Sequence, residues 1–506
     1  MIHLPIHCRN YIDGHWQEAL APNAPAPHKR WNPAHPEELV ATSLCSGLAD
    51  VEAAIAAARR AYRTWRQVPA PVRAEHLYRV GNLLQTHKAE LAQLMSLEMG
   101  KVLTEAQGDV QEGIDCAFYY AGEGRRLFGQ TTPSELSNKF AMTLRVPLGV
   151  CALITPWNFP IAIPCWKAFP ALVCGNTVIL KPSQNSPACA TKLMEILTEA
   201  GFPPGVVNLI QGAGTVVGTA LAEHPGIDLV SFTGAATTGA EVAAHCGRTH
   251  KRVCLELGGK NAQIVLEDAN LDLALEGALW GAFGTTGQRC TATSRIILHR
   301  SIESEFTQRF VQQAAQLKLG PASDPNTDIG PLVNSQQLER VQHYVALAQQ
   351  EGAKLLLGGT ALQSTASPDP DLAQGYFFPP TIFGSVTPAM RIAQEEVFGP
   401  VVAIITVDSF AEAIEVLNGT PYGLSSAIYT QDVNRAFQAM RDIEAGITYI
   451  NGPTIGAEVH LPFGGVKQTG NGHREAGTAA LDVFSDWKTV YVDFSGQLQR
   501  AQIDNR

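Results

Sequence analysis

Long apolar runs are absent from this sequence of 506 residues. A membrane-spanning helix needs roughly 20 mainly apolar residues, whereas the most apolar segment, residues 161–174, is interrupted by Pro164, Lys167 and Pro170. The first residues, MIHLPIHCRNYIDGHW, contain no stretch that is apolar enough for a secretory signal. We therefore expect no membrane segment.

An excess of positive charge is also missing. Lys and Arg number 37 against 47 Asp and Glu, which gives a formal net charge of -10. Proteins that bind nucleic acid usually have the opposite bias or a concentrated basic face. Basic residues occur here only as short pairs such as Arg59-Arg60. We therefore expect no nucleic-acid partner.

Paired cysteines are the third absence. None of the ten cysteines belongs to a CxxC motif, and their spacing matches neither a zinc site nor a disulfide framework. A free thiol in apolar surroundings behaves as a small hydrophobic side chain. We therefore expect no metal site, a reducing cytoplasmic environment, and nine cysteines that only fill the core. The tenth, Cys290, requires separate consideration.

The pattern of apolar residues predicts an α/β architecture with two or three lobes, since the chain is too long for one core. Residues 50–128 have helical spacing, with amphipathic stretches near 73–96 and 104–126. Short apolar runs then alternate with helical stretches up to residue 266, which is typical of a doubly wound parallel sheet. These runs are VCALIT, TVILK, VVNLIQ, IDLVSF, KRVCLEL and AQIVL.

The second half of the chain alternates in the same way to about residue 450. Residues 361–375 are rich in Ser, Pro and Asp and predict a surface loop. Residues 487–494 predict a terminal strand beyond both lobes, of the kind that pairs with another segment or another subunit.

Cys290 lies in a glycine-rich loop, GTTGQRCT at residues 284–291. Glycines permit a close backbone approach, and we expect a helix to begin directly after the loop. Beside Arg289 at such a turn, the pKa of a thiol is lowered by the cation and by helix-terminal N–H groups, which produces a nucleophile. The loop alone is equally consistent with one more buried cysteine.

Two polar residues next to predicted strands have a chemical interpretation. Glu256, in LELGGK at residues 255–260, suits a general base in a partly dry site, although a salt-bridged glutamate at a strand end is commoner. Asn158, in TPWNFP at residues 155–160, suits a donor to a developing oxyanion. The alternative for Asn158 is a turn residue in front of an aromatic anchor.

Two glycine patterns follow predicted strands. GAATTG at residues 234–239 comes after DLVSF, and GAGTVVG at residues 212–218 comes after VVNLI. Either pattern is able to place a phosphate at a helix N-terminus. Neither is the strict GxGxxG fingerprint, and close helix packing explains each equally well.

Taken together, five motifs resemble the aldehyde dehydrogenase superfamily in their order and spacing. They are TPWNFP at 155–160, LELGGKNA at 255–262, GQRCT at 287–291, EEVFGP at 395–400 and PFGGVKQTG at 462–470. The likeness extends from YIDGHW at 11–16 to the final strand. A chance match of five ordered motifs is not credible, so the structural alternatives for Cys290, Glu256 and Asn158 lose most of their weight.

The resemblance implies an α/β fold of three domains and an assembly of two or four identical subunits. The implied domains are a Rossmann-like cofactor domain at 1–129 and 149–258, an α/β catalytic domain at 259–460, and a small β oligomerisation domain at 130–148 and 461–506. In the family, the C-terminal strand extends a sheet of a neighbouring subunit.

The resemblance also implies the chemistry. Cys290 attacks the aldehyde carbonyl to give a thiohemiacetal, while the Asn158 amide and the Cys290 backbone N–H hold the oxyanion. Oxidation by NAD or NADP leaves a thioester, and Glu256 activates the water that hydrolyses it. The residue types fit, because a thiolate is a good acyl carrier and a carboxylate in a pocket of low dielectric is a usable base.

Cofactor-binding positions follow from the same motifs. Lys181 is implied to bind the adenosine ribose, and Glu396 and Phe398 to position the nicotinamide. The full implied set is Thr155, Pro156, Trp157, Lys181, Ser183, Gln184, Gly214, Phe232, Gly234, Ala235, Leu257, Glu396 and Phe398.

Two of these positions depart from the family pattern. Gln184 stands where many NAD-specific members have a glutamate, which would repel a 2′-phosphate. We therefore expect both NAD and NADP to be accepted. Ala235 lacks the hydroxyl often found at its position, so backbone N–H groups are left to bind the pyrophosphate.

The substrate is less constrained. Residues 452–463 and the run GDVQE at 108–112 resemble the branch that oxidises semialdehydes. In the aminoadipate-semialdehyde group of that branch, a glutamate of this run and the arginine before the nucleophile anchor the amino and carboxyl ends of the substrate, which implies this role for Glu112 and Arg289 here. Further substrate contacts are expected from Thr291, Gly456, Ala457 and Phe463.

Several alternatives stay open. Glu112 is equally well explained as a helix cap or as the partner of a lysine, and aliphatic or benzaldehyde-type aldehydes are alternative substrates. An enzyme that transfers the acyl group to coenzyme A and a non-catalytic, crystallin-like protein are alternative functions. The presence of Glu256 argues against the first and that of Cys290 against the second.

Overall fold

The computed structural model describes residues 2–20, 25–362 and 372–504. The surface loop predicted at 361–375 therefore lies mostly outside the described residues. The α-helices are α1 Leu48–Trp65, α2 Ala70–Thr86, α3 Lys88–Met99, α4 Leu103–Glu123, α5 Ala162–Cys174, α6 Pro187–Glu199, α7 Thr219–Glu223, α8 Ala236–Gly247, α9 Leu271–Phe283, α10 Glu303–Ala314, α11 Ser335–Gln350, α12 Arg391–Gln394, α13 Phe410–Asn418, α14 Val433–Asp442 and α15 Ala479–Phe484. Within the described ranges, no helix combines the length and the apolar character that crossing a membrane requires.

The strands are distributed over the whole chain. They are β1 Ile6–Cys8, β2 Asn10–Ile12, β3 His15–Gln17, β4 His28–Trp31, β5 Leu39–Ser43, β6 Gln130–Pro133, β7 Lys139–Pro147, β8 Val150–Ile154, β9 Thr177–Lys181, β10 Val207–Leu209, β11 Leu229–Gly234, β12 Arg252–Leu257, β13 Ala262–Val265, β14 Arg295–His299, β15 Lys354–Leu357, β16 Thr381–Gly384, β17 Val401–Val407, β18 Tyr422–Gly423, β19 Ser425–Tyr429, β20 Ile447–Ile450, β21 Val466–Lys467 and β22 Ser485–Asp493.

Helices α1 to α4 cover the segment that was expected to be helical. The single amphipathic stretch predicted near 73–96 is wrong, because α2 and α3 are separate helices that meet at His87. With φ of -97° and ψ of 8°, His87 leaves the helical conformation. Both helices bury apolar residues at spacings of three and four, so periodicity continues across the break and does not reveal it.

The first large sheet has the strand order β12-β11-β8-β9-β10-β2-β3. Strands β8 to β12 are parallel, which confirms the predicted parallel sheet, while β2 and β3 add an antiparallel edge. Helix α5 packs on this sheet with every residue buried. The chain runs from β8 to its neighbour β9 on one side and later forms β11 on the other side of β8. At such a switch in strand order, a ligand crevice is expected at the carboxyl ends of the strands.

The second large sheet has the order β15-β16-β17-β14-β13-β19-β20. The apolar run AQIVL continues the alternation of the first sheet in sequence, yet it forms β13 and pairs with β14 and β19 of the second sheet. The chain crosses between the sheets at Gly258-Gly259, directly after β12. This crossing places the carboxyl end of β12 beside the second sheet.

A small third sheet contains β6, β7 and β22. The terminal strand predicted at 487–494 is β22, which begins two residues earlier and pairs antiparallel with β7 of the same chain over nine residues, one of the two kinds of partner expected. Its edge position leaves Trp487, Tyr491 and Phe494 exposed.

Candidate active site

Cys290 lies in a tight loop between α9 and β14. A short 3-10 turn, Gly284–Gly287, follows directly after α9, and no helix begins between Cys290 and β14. The prediction of a helix directly after the loop is therefore wrong. No backbone N–H groups of a helix N-terminus are available there to lower the pKa of the thiol. Within the turn, Thr285 and Thr286 have φ values of 51° and 57°, a left-handed conformation that is unfavourable for β-branched residues.

The electrostatic environment of Cys290 also differs from the expectation. Burial is the largest effect and raises the pKa of the thiol, and Glu256 and Glu396 raise it further. The Thr291 N–H and Arg289 lower this pKa by smaller amounts. The prediction of a depressed pKa is wrong because desolvation exceeds the effect of the cation. Burial thus disfavours the thiolate, and a base close to the thiol would favour its attack.

Two cavities meet at Cys290. Cavity 1 has a volume of about 120 Å³ and cavity 2 one of about 210 Å³, and Cys290, Ile163 and Thr233 line both. The further residues of cavity 1 are Glu112, Phe159, Ala162, Trp166, Glu256, Arg289, Thr291, Gly456, Ala457, Phe463 and Glu475. All six residues expected to contact the substrate are among them.

Glu256 lies at the end of β12 and faces cavity 1 with 3% of its surface exposed. Its Oε1 has no hydrogen-bond partner within the described chain. Burial, followed by the charge of Glu475, raises the pKa of Glu256 well above its ordinary value, while Lys167 lowers it by less. A carboxyl group with a free oxygen and a raised pKa suits a general base, which becomes active as the pH rises.

A buried ion pair lies next to Glu256. The Lys167 ammonium is fully buried and contacts both the Glu475 carboxylate and Ser231 Oγ, the latter at 2.8 Å. Such a pair is costly to break, because either partner alone would be an uncompensated buried charge. It fixes the charges that act on Glu256.

Asn158 lies just beyond the carboxyl end of β8 and is 3% exposed. Its Nδ2 donates a hydrogen bond of 3.1 Å to the backbone oxygen of Gln288, two residues before the thiol. An amide group carries two N–H donors, so a second donor is left for cavity 2, which Asn158 lines together with Cys290. This position suits stabilisation of an oxyanion formed at Cys290.

Cavity 2 lies against the carboxyl ends of β8, β11 and β12. Of the expected residues it contains Pro156, Trp157, Asn158, Gly234, Ala235, Leu257, Glu396, Phe398 and Cys290. The rings of Trp157 and Phe398 meet edge to face with centroids 5.6 Å apart. A Cβ on Gly258 would collide with the Glu396 carboxylate, and the Gly259 N–H donates to Glu396 Oε1 at 3.0 Å. The paired glycines therefore allow this carboxylate to reach the cavity.

Six expected cofactor residues lie outside the lining of cavity 2. They are Thr155, Lys181, Ser183, Gln184, Gly214 and Phe232. Lys181 ends β9, is 4% exposed and lies near Gly214, where a Cβ would be 4.0 Å from Nζ. Burial lowers the pKa of Lys181 to about 8, with no described carboxylate to offset it. Phe232 is buried beneath Gly234.

Glu112 and Arg289 face cavity 1 from different elements. The Arg289 guanidinium lies over the Phe159 ring at 5.4 Å and donates from Nε to Thr285 Oγ1 at 2.9 Å. Burial is the main cause that raises the pKa of Glu112 to about 8, so this carboxyl is mostly protonated at neutral pH. Cavity 1 thus presents a cation from the residue directly before Cys290 and a hydrogen-bond donor from α4.

Sequence reasoning missed several lining residues. In cavity 1 these are Phe159, Ala162, Ile163, Trp166, Thr233 and Glu475, and in cavity 2 they are Ile163, Thr233, Gly258, Gln337 and Arg340. Of these lining residues, only Glu475 had an indirect signal in the sequence. Lys167 lies inside an otherwise apolar helix, and a buried lysine needs an acidic partner. The identity of that partner, 308 positions away, was not readable from the chain.

The comparisons with known proteins agree with one another. The model of the Aldehyde dehydrogenase family matches residues 21–490. The alpha-ketoglutaric semialdehyde dehydrogenase of Bacillus subtilis is 40% identical over 483 residues, covering 96% of this chain and 97% of that protein. The 2,5-dioxopentanoate dehydrogenase of Saccharolobus solfataricus is 38% identical over 463 residues, covering 91% and 95%. A crystal structure of betaine aldehyde dehydrogenase from Staphylococcus aureus in complex with NAD+ has a TM-score of 0.93 at 34% identity, covering 97% and 95%.

Proposed function

The chain belongs to the aldehyde dehydrogenase family, and from this premise we propose that it oxidises an aldehyde to a carboxylic acid through a thioester on Cys290. The observation that carries the proposal is the place of Cys290 at the junction of two cavities. Glu256 faces the first cavity and Asn158 the second. One cavity thus accommodates the aldehyde and the other the oxidant.

NAD or NADP is the proposed cofactor, and the lining of cavity 2 fits its nicotinamide and pyrophosphate portion. When bound, the oxidised nicotinamide supplies a two-electron acceptor. Glu396 and Phe398 would hold the nicotinamide end, and Gly234, which ends β11 directly before α8, would receive the pyrophosphate. Among the described residues, the buried ammonium of Lys181 has no carboxylate partner, which suits a donor that binds a ribose.

The preference between the two cofactors depends on Gln184. This residue is partly exposed and uncharged, so it bonds a ribose 2′-hydroxyl without repelling a 2′-phosphate. Ala235 offers no hydroxyl, so the pyrophosphate depends on backbone N–H groups. We therefore propose that both cofactors are accepted.

In the proposed first step, the Cys290 sulfur bonds to the aldehyde carbon and the carbonyl π electrons move to oxygen. The free N–H of Asn158 and the Cys290 backbone N–H stabilise that oxygen. Burial raises the pKa of Cys290, so the attack requires removal of the thiol proton. The free Oε1 of Glu256 lies in the same cavity and suits this removal.

Loss of a hydride from the tetrahedral carbon to the two-electron acceptor that cavity 2 would hold restores the carbonyl and leaves the thioester. In the next step Glu256, after releasing the thiol proton to solvent, removes a proton from the water that attacks the thioester carbon. The carbon–sulfur bond breaks, the acid leaves, and Cys290 is regenerated. Because its pKa is raised, Glu256 is a stronger base than an exposed glutamate when deprotonated. Its presence favours hydrolysis over transfer of the acyl group to coenzyme A.

The proposed substrate class is a semialdehyde with an anionic tail. Two of the relatives above act, by their names, on alpha-ketoglutaric semialdehyde and on 2,5-dioxopentanoate, which are two names for one aldehyde that carries a carboxylate. Arg289 supplies the matching cation in cavity 1, and Glu112 a hydrogen-bond donor while protonated. The small volume of cavity 1 favours a short chain between the two ends.

We further propose three domains with the boundaries expected from the resemblance, one for each large sheet and one for β6, β7 and β22. A homodimer or homotetramer is supported by the edge strand β22, whose exposed Trp487 and Tyr491, with Phe494 directly after the strand, suit burial against a second copy. A cytoplasmic location is supported by ten free cysteines, eight of them buried.

One assay tests the proposed function. Absorbance at 340 nm is followed with a panel of semialdehyde acids, propanal and benzaldehyde, with NAD or NADP, and with and without coenzyme A. The expected result is reduction of the cofactor that is fastest with a semialdehyde acid and independent of coenzyme A. Absence of reduction with every aldehyde would refute the proposal, and a strict requirement for coenzyme A would establish the acyl-transfer alternative.

A further inference from the structure

We propose that Glu105, near the start of α4, is a positioning residue that holds the loop of the nucleophile. It does so by fixing Thr285 in its left-handed conformation and by restraining Arg289. The inference deepens the proposed function, because it assumes that Cys290 at the end of this loop is the nucleophile. Glu105 itself lines neither cavity 1 nor cavity 2, so it acts only through the loop.

The contacts of Glu105 converge on one residue of the turn. Its Oε2 accepts two hydrogen bonds from Thr285, from the backbone N–H at 2.6 Å and from Oγ1 at 2.7 Å. Its Oε1 lies 3.3 Å from Arg289 Nη2, and both of these side chains are only 12–13% exposed. A carboxylate that accepts two hydrogen bonds and pairs with a guanidinium in a nearly dry setting is a strong anchor.

The turn needs such an anchor. Thr285 and Thr286 are consecutive β-branched residues in the left-handed region, at φ values of 51° and 57°. Only Gly, and to a lesser degree Asn or Asp, adopts this conformation readily. The strain must therefore be compensated by contacts that exist only in this conformation, and the double hydrogen bond to Glu105 is such a contact.

The close approach of the carboxylate is built into the backbone. A Cβ on Gly284 would lie 2.9 Å from Glu105 Oε1, which is too close for any other residue without a shift. Other restraints on the loop act through Thr286 Oγ1 on the Gly330 oxygen and through the Val333 N–H on Gln288 Oε1. Thr285 also accepts from Arg289 Nε at Oγ1 and from the Gln288 N–H at its carbonyl oxygen, but the acceptor of its backbone N–H is Glu105.

The same carboxylate restrains Arg289. This side chain is bound on one side by Glu105 and Thr285 and on the other by the face of the Phe159 ring. Its guanidinium is thus held at the wall of cavity 1, and the backbone of the next residue, Cys290, is held with it. Loss of Glu105 is expected to misplace the sulfur, and a small misplacement of a reacting atom is costly in rate.

The test compares full-length variants by two independent readouts. These are kcat with propanal, which has no tail for Arg289, and the rate of Cys290 alkylation by iodoacetamide, followed by the mass of the Cys290 peptide. The second readout needs no dehydrogenase activity, so failure of this inference is distinguishable from failure of the proposed function. Thermal unfolding is measured alongside.

Glu105→Ala is expected to lower both rates about tenfold, which corresponds to about 1.4 kcal/mol. Glu105→Gln retains an acceptor oxygen for Thr285 and is expected to keep both rates within threefold of the parent. Glu105→Ala combined with Thr285→Gly is expected to recover most of the loss, because glycine adopts the left-handed conformation without the anchor. Glu276→Ala, which removes an exposed carboxylate from α9, serves as the matched control and is expected to change neither rate.

Unchanged rates in Glu105→Ala would overturn the inference. So would a double variant that is no faster than Glu105→Ala, since a role through Thr285 requires the two changes to be non-additive. If Glu105→Ala alone does not fold, folding of the double variant supports the inference and its failure to fold refutes it.

Discussion

The Asn158 amide offers the sharpest test of the proposed chemistry, because its two N–H groups have separate tasks. One donates to the Gln288 oxygen at 3.1 Å and fixes the orientation of the side chain. The other is left for the oxyanion that forms at Cys290. Asn158→Ala removes both, and the two losses are measurable in different experiments.

The magnitudes follow from the type of interaction lost. Removal of one preorganised oxyanion donor typically costs about 2.7–4 kcal/mol of transition-state stabilisation, or about 10² to 10³ in kcat. Removal of the hydrogen bond to Gln288 costs about 1 kcal/mol of stability. Asn158→Ala is therefore expected to fold, to bind cofactor with nearly unchanged affinity, and to have a kcat reduced by two to three orders of magnitude.

Asn158→Asp strengthens the test, since a carboxylate of nearly the same shape accepts and does not donate. It should be at least as slow as Asn158→Ala. Asn208→Ala is the matched control: this fully buried asparagine bonds the Gly205 oxygen at 2.8 Å, far from the cavities in sequence and in the sheet. It should lose stability and keep its kcat per folded molecule. A kcat of Asn158→Ala within threefold of the parent would show that the amide is no oxyanion donor.

Four further predictions concern the remaining groups. Glu256→Gln should lower kcat by about 10² to 10⁴ and abolish the rise of kcat with pH that deprotonation of Glu256 produces; a retained rise would exclude Glu256 as the base. Arg289→Ala should raise KM more for semialdehyde acids than for propanal, and an equal rise for both would count against recognition of an anionic tail. The pKa of Lys181 is lowered from 10.5 to about 8, so the unfolded chain binds the extra proton between these values and stability rises with pH across that window. The charged lysine thus lowers the free energy of unfolding by about 3 kcal/mol below pH 8. Lys181→Met should therefore unfold at a higher temperature at pH 7 and bind the cofactor more weakly. An unchanged unfolding temperature would contradict the lowered pKa. Cys290→Ala should bind cofactor normally and reduce none of it, and residual dehydrogenase activity would disprove the assignment of the nucleophile.

Much of the candidate site could be predicted because its residues lie at strand ends. Thr155, Lys181, Gly234 and Leu257 each end or directly follow a parallel strand that is evident as a short apolar run. Carboxyl ends of neighbouring parallel strands lie at one edge of a sheet, so local patterns place these residues together without knowledge of the packing. The break between α2 and α3 at His87 could not be predicted from the same kind of pattern, because periodicity alone does not distinguish one helix from two.

The electrostatics could not be predicted in the same way. Arg289 next to Cys290 suggests a lowered pKa when only neighbours in the chain are considered. In the folded protein, burial and the carboxyl groups of Glu256 and Glu396 raise it, and these groups lie 34 and 106 positions away in the chain. Desolvation depends on what the whole fold removes from water, which no local pattern contains.

The sequence by itself determined the family and the parallel sheet and singled out Cys290 as the proposed nucleophile, because these depend on local patterns and on motifs in a fixed order. Only the tertiary structure decided the charges and restraints around that nucleophile. The Lys167–Glu475 pair, the hold of Glu105 on Thr285, and the pairing of β22 with β7 each join segments that are far apart in the chain. Contacts of this kind are selected by packing and by the dielectric of the finished interior, and neither exists until the chain has folded.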